Sequence, residues 1–120
     1  MAWPLFQRVS RMVEGFWIVQ YEGVAGNGGG VAIFMRGKVL GGDTGYIYTG
    51  TYKTDETNLV ASIQVKNFLP QVPSVLGFAG DFELSIEGKV AGTQIRGTAS
   101  RVGQPGGILV KLTRVSDLPD

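Results

Sequence analysis

Glycine falls every few residues along this chain, and between the glycines apolar and polar side chains alternate one by one. That combination constrains the fold more than any other feature. An apolar residue at every second position lays one face of an extended strand against a core, and a glycine at each break lets the backbone turn. Nineteen of the 120 residues are glycine, well above the usual ~7%. The alternation is clearest in Asn58–Phe68, where Leu59, Ala61, Ile63 and Val65 share one face and Val60, Ser62, Gln64 and Lys66 the other. The fold class is therefore all-β.

Eight strands are predicted: Gly15–Glu22, Val31–Met35, Lys38–Leu40, Tyr46–Lys53, Asn58–Phe68, Asp81–Glu87, Lys89–Ser100 and Ile108–Val115. Gly23–Gly30, with five glycines in eight residues, is read as a loop, Arg36-Gly37 as a tight turn, and Gly41–Gly45 as a turn or bulge. Leu69–Gly80 has two prolines and no clean period, so it is a loop or a short helical turn. Short antiparallel strands in simple succession favour an up-and-down barrel, with a sandwich as the alternative. Gly50, Gly92 and Gly97 inside strands fit the barrel, whose coiled strands need bends without a Cβ.

The hairpin over 46–66 fixes a face. A loop centred on Asp55-Glu56 pairs Thr54 with Thr57, hence Tyr52 with Leu59, Gly50 with Ala61, Tyr48 with Ile63 and Tyr46 with Val65. Cross-strand partners share a face. Tyr46, Tyr48 and Tyr52 are thus expected to line the barrel interior with Ile63 and Val65. A slip of one residue would turn the tyrosines outward.

Composition excludes several chemistries. There is no His and no Cys, so there is no Cys/His zinc site, disulfide, Cys nucleophile or Ser-His-Asp triad. Eleven basic against ten acidic residues give a net charge of +1. Arg36, Lys38, Lys66, Arg96, Arg101, Lys111 and Arg114 are scattered rather than striped, which argues against direct binding of nucleic acid. No apolar run approaches the roughly 18 residues of a membrane span.

No motif assembles a catalytic site. Asp43-Thr44-Gly45 is the tripeptide of aspartic proteases, which share a proton between two such carboxylates. Here Gly41-Gly42 precede it and Tyr46 follows, where such proteases carry bulky apolar and small residues. The competing reading is an Asp that accepts its own turn's N–H groups. Gly26–Gly30 is followed by no helical pattern, and Gly37-Lys38 and Gly88-Lys89 lack the Ser/Thr of a phosphate loop, so hairpin turns are expected there. Asp81, Glu83 and Glu87 alternate with Phe82, Leu84 and Ile86 as the solvent face of a strand. No metal or cofactor is expected.

Residues 1–14 form an N-terminal appendage, 15–116 a single barrel domain and 117–120 a tail. Leu5, Phe6, Val9, Met12 and Val13 make a one-sided helical stripe after Pro4, so a short N-terminal helix is expected. The alternative is that Met12 is the true start. Arg8 and Arg11 interrupt any secretory apolar run, and a cytoplasmic protein is expected.

The stretch Lys38–Tyr52, with Gly41-Gly42-Asp43 followed by Tyr48-Thr49-Gly50, resembles the GrlR family of bacterial negative regulators of type III secretion. Gly28–Gly37, Ser74–Gly77 and Asp81–Leu84 extend the resemblance over roughly residues 13–115. It implies a lipocalin-like eight-stranded barrel without enzyme activity, acting as a homodimer that binds a transcriptional activator rather than DNA. The family prototype carries an acidic run in the loop matching Thr54–Thr57. Here Asp55 and Glu56 hold that place, flanked by threonines, and are the expected partner-binding residues. The alternative function is a carrier or sensor of a small apolar ligand inside the barrel. A cavity of about 300 Å³ or more would favour the ligand, a packed interior the regulator.

Overall fold

In the computed structural model eight antiparallel strands close into a barrel in sequence order. They are β1 (Gly15–Gly23), β2 (Gly26–Met35), β3 (Lys38–Gly42), β4 (Tyr46–Asp55), β5 (Asn58–Asn67), β6 (Phe82–Ala91), β7 (Gln94–Arg101) and β8 (Ile108–Ser116). The structure describes residues 13–23, 26–72, 74, 80–104 and 107–119. The N-terminal stripe of Leu5, Phe6, Val9 and Met12 lies outside the described residues. Each strand pairs with the next, and β8 returns to β1, so the expected up-and-down order holds.

Inward positions carry the core. Trp17, Ala32, Phe34, Val39, Leu59, Ala61, Ile63, Val65, Leu84, Ile95 and Leu112 are buried, and alternate along their strands with exposed neighbours as the pleat requires. Aromatic rings fill one part of this core. Trp17 lies 5.8 Å from Phe34, and Phe34 lies 5.0 Å from Tyr52, both tilted. Val13, fully buried, accepts the Trp17 Nε1–H at its carbonyl (2.8 Å), which ties the chain ahead of β1 to the core. The Arg114 guanidinium on β8 adds a second tie by donating to the Glu14 carbonyl (2.8 Å) and to Asp117 (2.6 Å).

Three sequence expectations need correction. First, β2 begins at Gly26, not Val31: Gly26–Gly30 pair with Val19–Gly23 and extend the first hairpin. A glycine run shows no alternation, so its strand was invisible to a pattern search. Second, β6 runs through Gly88 to Ala91, and the turn falls at Gly92-Thr93. Gly92 takes φ +61°, the left-handed conformation of a turn, whereas Gly88 sits in the ladder opposite Gly97. A Cβ on Gly97 would lie 2.0 Å from the Glu87 carbonyl oxygen, so that glycine is needed for close approach of two strands.

Third, the β4–β5 hairpin turns at Glu56-Thr57, and Asp55 pairs with Asn58. Tyr52 therefore faces Ala61, Gly50 faces Ile63, Tyr48 faces Val65 and Tyr46 faces Asn67. The register differs from the expectation by two residues. An even shift leaves every side chain on its face, so the inward placement of the tyrosines stands on a different pairing. Ile63 Cδ1, rather than Ala61, covers the gap at Gly50.

Candidate functional site

The barrel holds a cavity of about 290 Å³. Its wall is mainly apolar, from Val19, Phe34, Leu59, Ile63, Val65, Leu84, Ile95, Val110 and Leu112 among others. Of the expected interior residues, Tyr46, Tyr48, Ile63 and Val65 line it. Tyr52 is buried instead against Phe34, away from the cavity wall. Val72 and Ser74, in the long connection before β6, also border the cavity. That connection is held by Tyr46, whose hydroxyl donates to the Val72 carbonyl (3.3 Å), and by the Phe68 N–H donating to the Gly45 carbonyl (2.9 Å).

Among the described residues one charged side chain, Asp43, reaches this wall. Its Oδ1 accepts the N–H groups of Gly45 (3.1 Å) and Tyr46 (3.0 Å), and its own N–H donates to the Tyr46 carbonyl (3.0 Å). That is the turn-capping role read from the sequence. The second oxygen does something the sequence reading missed. Asp43 Oδ2 accepts the hydroxyl of Tyr21 (2.7 Å) and the hydroxyl of Tyr48. The two phenol oxygens are 3.5 Å apart. Two strands, β1 and β4, and the turn between β3 and β4 thus converge on one carboxylate at a mainly apolar wall.

The signal for Tyr21 was present but weak. Trp17, Val19 and Tyr21 alternate along β1, which puts all three on the inner face. Gly28 lies opposite Tyr21, and a Cβ there would come within 2.7 Å of the ring, so the glycine leaves room for the phenol to lie across β2. Burial pushes the Tyr21 hydroxyl up to about 12, with the Asp43 charge and hydrogen bond acting in the same direction against the Tyr48 hydrogen bond. The Tyr48 hydroxyl is raised further, by burial first and then by donation to Asp43. At neutral pH both phenols keep their protons and hold them on the carboxylate. Neither phenol is poised near neutrality for proton transfer.

The second candidate site is the β4–β5 tip. Asp55 and Glu56 are both exposed there. Glu56 takes φ +55°, a conformation that Asn or Gly adopts with less strain. A third surface feature lies on the outside of β1–β3. Ile18 and Val31 are cross-strand partners, as are Ile33 and Leu40, and all four are exposed. Among the described residues no group of three or more Asp, Glu, His or Cys could hold a metal ion, and no helix is long and apolar enough to cross a membrane.

A protein-family model described as "T3SS negative regulator, GrlR" matches residues 12–117, nearly the whole chain. No curated protein matches the chain.

Proposed function

The chain belongs to the GrlR family of type III secretion negative regulators, and we propose that it represses by contact with a protein rather than by catalysis. The partner is a transcriptional activator, bound in the cytoplasm by a homodimer of this chain, with no direct hold on nucleic acid. The observation that carries the reading is the β4–β5 tip. A hairpin of ten-residue strands projects Asp55 and Glu56 into solvent. Its turn keeps Glu56 in a left-handed conformation that disfavours every side chain except a few. Strain of that kind, where Gly would relax it, supports a role for the carboxylate itself. The apolar outer face of β1–β3 supports the homodimer, since paired exposed Ile, Val and Leu residues suit a subunit contact.

The test is repression in a secretion-gene reporter strain, with pull-down of the activator. Asp55→Ala with Glu56→Ala should weaken both, and the loss of binding should be larger at low salt. Full repression and unchanged pull-down by the double variant would remove the tip from the mechanism.

A second reading has its own observation, the cavity. At about 290 Å³ it stands at the lower edge of the range of small-molecule sites, roughly 300–1,000 Å³. A packed interior would have left no such space. In this reading a small ligand in the barrel sets the regulator's state.

A further inference from the structure

The Tyr21–Asp43–Tyr48 cluster dictates what kind of head group the cavity takes, and the argument rests on the ligand-sensing reading above. Count the protons first. Asp43 offers two oxygens and both are fully engaged: Oδ1 by two backbone N–H groups, Oδ2 by two phenols. Each phenol has one proton, and that proton is committed to Asp43. What the cluster turns toward the cavity is therefore the lone pairs of two phenol oxygens. It has no hydrogen left to give. Charge points the same way. Among the described residues Asp43 is the sole carboxylate on the wall, and no Lys or Arg lines it. Thr44 and Ser74 supply hydroxyls but no positive charge. Beside a mainly apolar, low-dielectric wall a carboxylate repels a second anion more strongly than it would in bulk water.

Size follows from volume. A cavity of roughly 150 Å³ holds one benzene, so about 290 Å³ holds a molecule on the order of a dozen heavy atoms. We propose that this cavity binds an amphipathic molecule whose alkyl body lies along the Leu59–Ile63–Leu112 wall and whose head donates a hydrogen bond to the Tyr21 and Tyr48 oxygens, an alcohol or an alkylammonium, and that it rejects alkyl carboxylates. The usual occupant expected of a small barrel with an apolar interior, an ionised fatty acid, is excluded by the same cluster.

The experiment is isothermal titration of the full chain at pH 7 with four probes of nearly equal size: 1-decanol, decylamine, sodium decanoate and nonyl methyl ether. Decanol and decylamine each donate. Decanoate is an anion and the ether is a neutral acceptor, so the pair separates repulsion from a missing proton. Decanol and decylamine should bind at least ten-fold tighter than either of the others, and their relative affinity tells whether a neutral or a cationic head is preferred. Asp43→Asn inverts the cluster: its amide donates to the phenols, their protons turn to the cavity, and decanoate should gain on decanol by at least ten-fold. If that variant does not fold, the four-probe series on the native chain decides alone. Decanoate or the ether binding within three-fold of decanol would overturn the donor-head inference while leaving the ligand reading standing. No binding by any of the four would overturn both.

Discussion

Removing the Asp43 carboxylate should loosen the barrel more than an ordinary turn substitution does. Asp43→Ala strands four donors at once: the N–H groups of Gly45 and Tyr46 and the hydroxyls of Tyr21 and Tyr48. The two N–H groups sit in a part-buried turn, where water replaces the lost acceptor at a penalty of roughly 0.5 kcal/mol each. The phenols are worse placed. Hydrogen bonds to a charged acceptor are worth about 1.5–3 kcal/mol, but the phenol oxygens already stand 3.5 Å apart and can pair with each other once the carboxylate is gone. One phenol bond is thereby recovered and one is lost. The sum is a loss of about 2–4 kcal/mol, or a fall in Tm on the order of 10 °C for a domain of this length. Urea unfolding at pH 7 reads it directly. A double-mutant cycle isolates the cluster: Tyr48→Phe alone should cost about 1 kcal/mol, and in the Asp43→Ala background much less, leaving a coupling of at least ~0.7 kcal/mol. Asp43→Ala within ~0.5 kcal/mol of the native chain, or strict additivity in the cycle, would refute the reasoning.

Three further outcomes follow from the same structure. Both clustered phenols ionise later in the folded chain than in the unfolded one, so the unfolded state loses its protons first as pH rises. Stability should be full below about pH 10 and fall from there through about pH 12, and the Tyr21 and Tyr48 phenols should still be largely protonated at pH 11, read as absorbance at 295 nm against the Tyr21→Phe and Tyr48→Phe variants; either phenol ionising near pH 10 would contradict this. Gly97→Ala puts a Cβ against the Glu87 carbonyl and should cost about 1–3 kcal/mol by forcing β6 and β7 apart, a shift measurable in the unfolding midpoint and absent if the strands can part freely. Glu56→Gly relieves the left-handed strain at the tip and should stabilise by about 0.5–1 kcal/mol while weakening capture of the activator; a destabilised variant would show that the turn is not strained.

Sequence patterning located what side chains advertise. Strand β5 was legible because four apolar residues alternate with four non-core ones, and the Arg36-Gly37 turn because a glycine sits between two apolar runs. The first half of β2 was not, since Gly28 and Gly30 have no side chain with which to mark an inner face. The β6–β7 turn was misplaced for a related reason: Gly88 and Gly92 look alike in sequence, and only the pairing of Gly88 with Gly97 tells the ladder glycine from the turn glycine. The candidate site divided in the same way. The local half of Asp43, its bonds to the next two N–H groups but one, could be read from Gly-Gly-Asp-Thr-Gly alone. The half that faces the cavity depends on Tyr21, which lies 22 residues earlier and reaches Asp43 only through the barrel's closure. The tip acids Asp55 and Glu56 were found by position, and their backbone strain became visible only with φ in hand.

Of the eight strand pairings, the one between β1 and β8 alone joins segments distant in sequence. The rest join strands adjacent in sequence, all by short turns except the long β5–β6 connection, so the chain can assemble as a row of local units before its ends meet. The entropy of that last encounter grows only with the logarithm of the span it closes. The cavity wall straddles the seam, with Val19 and Tyr21 on one side and Ile108, Val110 and Leu112 on the other. An unclosed row of hairpins therefore has no chamber, and a molecule held inside stabilises only the finished ring. Occupancy would act as a latch on the seam, and slowed amide hydrogen exchange along β1 and β8, with the hairpin amides elsewhere unchanged, is how that latch would register.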